Sequence, residues 1–144
     1  MQEPIVVSAK FNASKQKLWN AITNANEMRQ WFFASINHFE PIVGFRTEFV
    51  VKNEERKFTH IWSIEEVIPL QKIKYNWHYI EYEGDSEVCF ELQQLNNATQ
   101  LTVTHSTIKP FTANIPEFKR ESGVQGWNYL IKESLKNYLQ KTNP

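Results

Sequence analysis

The stretch 72–81, KIKYNWHYIE, decides the fold. Ile73, Tyr75, Trp77 and Tyr79 fall on one parity and Lys72, Lys74, Asn76 and His78 on the other, the period-two signature of a strand with one apolar and one wet face. The pattern recurs downstream. Val88, Phe90 and Leu92 alternate with Glu87, Cys89, Glu91 and Gln93, and Leu101, Val103 and His105 alternate with Thr102, Thr104 and Ser106. Period two runs from Ser35 to Ile108, with breaks at 41–44, 53–56, 68–71, 83–86 and 96–99, which predicts an antiparallel meander.

Upstream, 3–11 reads as a further strand, with Ile5, Val7 and Ala9 on one face. Ser14 is placed to cap a helix carrying Leu18, Ala21 and Ile22, and Asn24 with Glu27 three residues on forms a capping box for a second, short helix ending near Trp31 and Phe32. At the other end, Phe118, Trp127, Leu130, Ile131, Leu135, Tyr138 and Leu139 make a helical stripe. Asn114, Pro116 and Glu117 supply a start signal, predicting one helix over 117–140. A long helix laid along the apolar face of a curved sheet is a two-layer α+β solution.

Composition narrows the function classes. The 144 residues, 41% hydrophobic and 22% charged, match one globular domain over 1–144, large enough to fold without metal or disulfide. Sixteen basic against sixteen acidic residues give no global field toward nucleic acid or anionic lipid. No apolar run is long enough to insert into a membrane, and the N-terminus MQEPIVVSAKF lacks a secretion-signal pattern, so the expectation is cytoplasmic. One cysteine, Cys89, excludes an internal disulfide. No metal-spaced ligand pair, phosphate-binding glycine loop or nucleophile elbow is present, so neither metal nor cofactor is expected. The outlying quantity is 14% aromatic residues.

Strand, two short helices, a run of strands and a long C-terminal helix is the order of the helix-grip fold, and the chain resembles its START-like and SRPBCC proteins. Trp31-Phe32, Glu66-Val67-Ile68-Pro69 followed by a strand ending at Trp77, LTVTHSTIKPF over 101–111, and Gly126-Trp127 opening into NYLIKESLKNYL then narrow the resemblance. In these motifs the chain is similar to the group containing the activator of heat-shock-protein ATPase. Two departures stand out: bulky Trp62 replaces a small residue, and Thr107 replaces the glycine of the turn after His-Ser.

The resemblance implies a cavity between sheet and helix, and an aromatic-lined pocket with a few polar groups is the usual form of a small-molecule site. By parity, the candidate lining residues are Phe49, Phe58, His60, Trp62, Ile64, Tyr75, Trp77, Tyr79, Phe90, Leu92, Val103, His105, Trp127 and Ile131, with Thr47 and Gln94 as polar neighbours; parity would also turn Glu66 inward beside Ile64, but its place at a strand end close to Pro69 favours a solvated carboxylate. Gly123 and Gly126 each cost about 1 kcal/mol in a helix, which predicts that their missing side chains allow close approach to the sheet or leave room at the cavity mouth. The leading reading is a binding protein for a small hydrophobic or aromatic molecule, with no catalytic residues. A polyketide cyclase or aromatase that moves protons through His60 or His105 is the second. The resemblance itself suggests a third, an interaction domain assisting a chaperone, and the neutral surface leaves room for a homodimer.

Overall fold

The computed structural model describes residues 3–141. Six antiparallel strands form one sheet in the order β1-β6-β5-β4-β3-β2, where β1 is Ile5–Phe11, β2 Arg46–Asn53, β3 Arg56–Ile68, β4 Lys72–Tyr79, β5 Asp85–Gln94 and β6 Thr99–Lys109. The helices α1 (Lys15–Thr23) and α2 (Ala25–Trp31) follow β1 and pack on the sheet's apolar face with the C-terminal helical segment. This is the helix-grip arrangement the resemblance implies.

The parity rows in 72–81 and beyond become one buried surface. Ile73, Tyr75, Trp77, Val88, Phe90, Leu101 and Val103 are all buried, and the register sets Trp62 opposite Trp77, Tyr75 opposite Val88 and Phe90 opposite Val103. Local capping matches the sequence at Ser14 and in one half of the box at Asn24; Glu27 does not reach back, because the Asn24 N–H donates to Asn20 O at 2.9 Å and the Glu27 carboxylate accepts from Tyr138 Oη at 2.9 Å. The Ser14 side chain accepts from Lys17 N at 3.1 Å and that of Asn24 from Glu27 N at 3.2 Å, each worth about 1 kcal/mol. Trp31 Nε1 then donates to Ala21 O at 2.8 Å and locks α2 against α1.

Three local expectations are corrected, and for Glu66 the solvated alternative holds over simple parity. Residues 35–45 form no strand: Arg29 Nη1 donates to the carbonyls of Ile36 and Asn37 at 2.9 and 3.1 Å, folding this segment inward so that Ile36 and Phe39 are buried. Glu66 does not share the inner face with Ile64. A bulge between them inserts one residue, turning Glu66 outward to Lys72 Nζ at 3.2 Å and Val67 inward opposite Ile73. Gln94 is exposed and donates to Leu95 O and Ala98 O in the β5–β6 turn.

The C-terminal segment is not one helix from Glu117. Pro116–Phe118 makes a 3₁₀ turn, Lys119 is extended, and α3 (Arg120–Tyr129) starts there without a side-chain cap. The Glu117 carboxylate, which a cap would have used, is instead held by Arg56 Nε at 2.8 Å and Asn53 Nδ2 at 2.6 Å. A π-helical stretch, Leu130–Leu135, then leads into α4 (Lys136–Lys141). The stretch has a physical reason. Trp127, Ile131, Leu135 and Leu139 are all buried at a strict spacing of four, which drifts off the face of a helix with 3.6 residues per turn. The wider i→i+5 turns cancel that drift.

The two glycines of α3 differ. A Cβ on Gly123 would meet Ile5 Cδ1 at 2.8 Å, as close approach to the sheet requires, whereas one on Gly126 would meet nothing within 4 Å. The expectation for Gly126 is therefore overturned: it is exposed and spares no neighbour. Gly126→Ala should raise stability by about 1 kcal/mol in urea denaturation. A neutral or negative result would mean that the position needs glycine after all.

Candidate functional site

The space between sheet and helices is filled by rings that the loop after α2 delivers. Phe32 lies 5.3 Å from Trp62, 5.8 Å from Trp127, 6.1 Å from Trp77 and 6.2 Å from Phe90, centroid to centroid. Phe33 sits 5.6 Å from Phe49 and 5.1 Å from His60, and Phe39 stands edge-on to Trp62 and Tyr75. Phe49, His60, Trp62, Ile64, Tyr75, Trp77, Phe90, Leu92, Val103, Trp127 and Ile131 are buried there. Phe58 packs separately against Tyr79, Tyr82 and Phe118. Trp62 Nε1 and Tyr75 Oη are buried without a hydrogen-bond partner among the described residues, a cost of about 1–3 kcal/mol each that the surrounding ring packing must offset.

An open cleft of about 540 Å³ lies at one end of this core, between the sheet and the start of α3. Its apolar walls come from Ile5, Tyr79, Pro110, Phe111 and Phe118, and its polar groups from Ser86, His105, Thr107, Glu3, Glu117, Lys119 and Arg120. Two of the sequence candidates, Tyr79 and His105, line it; the others named above do not. Gly84 packs against the Phe111 wall: its φ of +138° and the Phe111 ring, which a Cβ would strike, leave no room for a side chain.

Below the cleft runs a directed hydrogen-bond relay. Trp127 Nε1 donates to His105 Nδ1 at 3.0 Å, and since an indole N–H is a donor only, the His105 proton sits on Nε2. His105 Nε2 therefore donates to Ser86 Oγ at 2.9 Å, and Ser86 in turn donates to Trp77 O at 2.6 Å. The order matters. A serine nucleophile needs a histidine that accepts its proton, and here the direction is reversed and both ring nitrogens are occupied. Burial holds His105 down at about 4, so it is neutral near pH 7.

His60 is built differently. Its Nδ1 donates to Phe58 O at 3.1 Å, its ring stacks on Phe49 at 4.7 Å, and burial lowers it to about 4 despite the opposing effects of the Phe58 carbonyl and Glu81. Tyr79 is pushed up to about 12 by burial, and its hydroxyl accepts from Trp77 Nε1 at 2.9 Å. Burial works to raise the Glu117 carboxyl, but hydrogen bonds from Arg56 and Asn53 hold it below its ordinary value. The Cys89 thiol, on the outer face of the sheet, is raised to about 11 by burial and is not a nucleophile near neutral pH. Among the described residues no group of three His, Cys, Asp or Glu is arranged to hold a metal, and no helix is long and apolar enough to cross a membrane.

Part of the lining that sequence reading missed was within reach. Ile5, Ser86 and Thr107 lie on the same parity rows as Val7, Val88 and His105, and the register pairs Ile5 with His105 and Ser86 with Thr107. Extending alternation to the strand ends would have found them. Phe111, Lys119 and Arg120 lie in or beside the irregular segment after β6, where no period exists to read.

Among solved structures, protein MLL2253 from Mesorhizobium loti superposes with a TM-score of 0.77 at 22% identity, covering 98% of this chain and 99% of its own. An HSP90 activator from Plasmodium falciparum, PFC0360w, gives 0.71 at 17% identity over 98% and 96%. DynU16, a putative protein of the dynemicin biosynthetic locus, gives 0.76 at 19% identity; this chain matches in full but spans 49% of that one. These likenesses are of fold. None of the curated proteins matches the chain. The family model for Activator of Hsp90 ATPase homolog 1-like protein matches residues 12–140, nearly the whole domain with both caps, the meander and the C-terminal helices, and the chain belongs to that family.

Proposed function

We propose that this domain binds a small, largely apolar organic molecule in the cleft between the end of the sheet and the start of α3. The cleft carries the proposal. Its volume of about 540 Å³ falls within the roughly 300–1,000 Å³ range of small-molecule sites, and apolar walls around a few fixed polar groups are their usual composition. The relay through Trp127, His105, Ser86 and Trp77 O supports binding over proton transfer, because it leaves His105 without a free lone pair to act as a base. A cyclase reading through His105 would require that relay to break first.

Titration with the neutral fluorophore N-phenyl-1-naphthylamine tests this. The folded protein should bind it saturably. Gly123→Leu and, separately, Thr107→Trp should each weaken binding at least tenfold, about 1.4 kcal/mol, while the melting transition stays cooperative. Two fillers entering from opposite walls guard against one of them merely misfolding. Unchanged affinity in both would remove the cleft as the site.

Family membership favours one other reading, assistance to a chaperone. Stimulation of a purified Hsp90 ATPase by this domain would support it. Such stimulation persisting in the cleft-filled variants would separate that role from ligand binding.

A further inference from the structure

The hydrogen-bonding groups around the cleft are strongly biased, and the bias says what kind of molecule fits. His105 and Ser86 are spent on each other, on Trp127 and on Trp77 O. The Glu117 carboxylate is taken up by Arg56 and Asn53. The unspent groups are mostly donors. Tyr79 Oη accepts from Trp77, and among the described residues nothing accepts its own proton, which burial holds in place. Thr107 likewise has no side-chain partner among the described residues. Lys119 and Arg120 stand side by side at the cleft and enter no salt bridge among the described residues; Arg120 spends Nη1 and Nη2 on the main-chain carbonyls of Glu3 and Pro4 at 2.5 and 3.2 Å, which fixes the guanidinium but does not neutralise it. Among the described residues, the one acidic lining side chain not tied to a cation is Glu3, exposed just before β1.

Resting on the cleft as the binding site, we propose that its occupant is a small organic monoanion: an apolar body lying between Tyr79, Phe111 and Phe118, with a carboxylate-like head directed to Arg120 and Lys119. A fixed guanidinium loses little freedom on binding such a head and still has its Nε–H and the second N–H of each Nη to offer its oxygens. A neutral molecule of the same shape would leave the cationic edge solvated and gain only the apolar contact.

Two probes of nearly the same body separate these cases: N-phenyl-1-naphthylamine, which is neutral, and 8-anilinonaphthalene-1-sulfonate, which is a monoanion. The wild-type protein should bind the anion at least tenfold more tightly at low salt, and the ratio of the two dissociation constants should shrink as ionic strength rises. Arg120→Gln combined with Lys119→Gln should bring the ratio close to one, and Arg120→Lys should retain part of it. Equal affinity for both probes in the wild type would overturn the anion assignment and leave the cleft reading standing. An anion preference that survives the double substitution would overturn the assignment of the head group to this edge. Failure of both probes to bind would instead count against the cleft itself.

Discussion

Lowering the pH from 7 to 4 is expected to remove much of the folding stability, through two histidines that must be neutral to stay where they are. Burial depresses both His60 and His105 from 6.5 to about 4. A base whose folded pKa lies below its unfolded one binds fewer protons folded than unfolded, so stability rises with pH across the window between the two values. The contribution is present in full above pH 6.5 and falls as the pH drops toward 4. A shift of this size is worth about 3 kcal/mol for His60, and somewhat less for His105, which is partly exposed at the cleft. Together these approach the lower end of a typical domain stability of about 5–15 kcal/mol. Urea denaturation at pH 7 and at pH 4.5 should show the loss. His60→Phe, which places a non-titrating ring among Phe33, Phe49 and Tyr79, should remove roughly half of it. Glu81 and Glu117, both lower than ordinary carboxyls, add further loss as the pH falls to the range where they protonate. If stability is flat between pH 7 and 4.5, the two imidazoles are not held neutral by burial and the relay under the cleft is not fixed as described.

How much of this was readable depends on whether a residue sits in a periodic element. Strand parity is a strong signal because a one-residue slip moves every side chain to the wrong face, so Tyr75, Trp77, Phe90 and Val103 are buried where alternation places them. The bulge at 64–66 defeats that same logic locally, since an inserted residue inverts parity from Glu66 onward and nothing in the alternation announces it. Capping was legible at Ser14 and Asn24, where the side chain needs only its own first turn. At Asn114 and Glu117 it was not, because the partner that claims Glu117 is Arg56, sixty-one residues away in sequence. The candidate site divides in the same manner. Tyr79 and His105 are strand residues and line the cleft, while Phe111 and Arg120 owe their positions to an irregular segment whose course is set by tertiary contacts. Phe32 and Phe33 escaped for a related reason: they stand just where α2 ends, so helical phase no longer dictates their direction.

Replacing Phe32 by alanine is expected to destabilise the protein by about 3–5 kcal/mol, toward the upper part of that range. The ring is buried, caps α2 through its amide to Met28 O at 2.8 Å, and is ringed by Trp31, Phe33, Trp62, Trp77, Phe90 and Trp127. Those neighbours cannot readily collapse into the gap. Trp62, Trp77 and Phe90 are pinned by sheet register, and Trp127 is held by its hydrogen bond to His105. A hole bounded by aromatic faces stays dry and accepts an apolar guest. Saturating benzene should therefore raise the melting temperature of Phe32→Ala by several degrees and leave that of the wild-type protein nearly unchanged. This contrast checks where the molecule keeps its space. If benzene stabilised the wild type as much as the variant, the sheet and helices would enclose room that Phe32 does not fill, and the binding site would extend inward past His105 and Trp77. If the variant lost less than about 1.5 kcal/mol, the rings would be free to close over the gap, and the tight aromatic interior would be softer than its centroid distances imply.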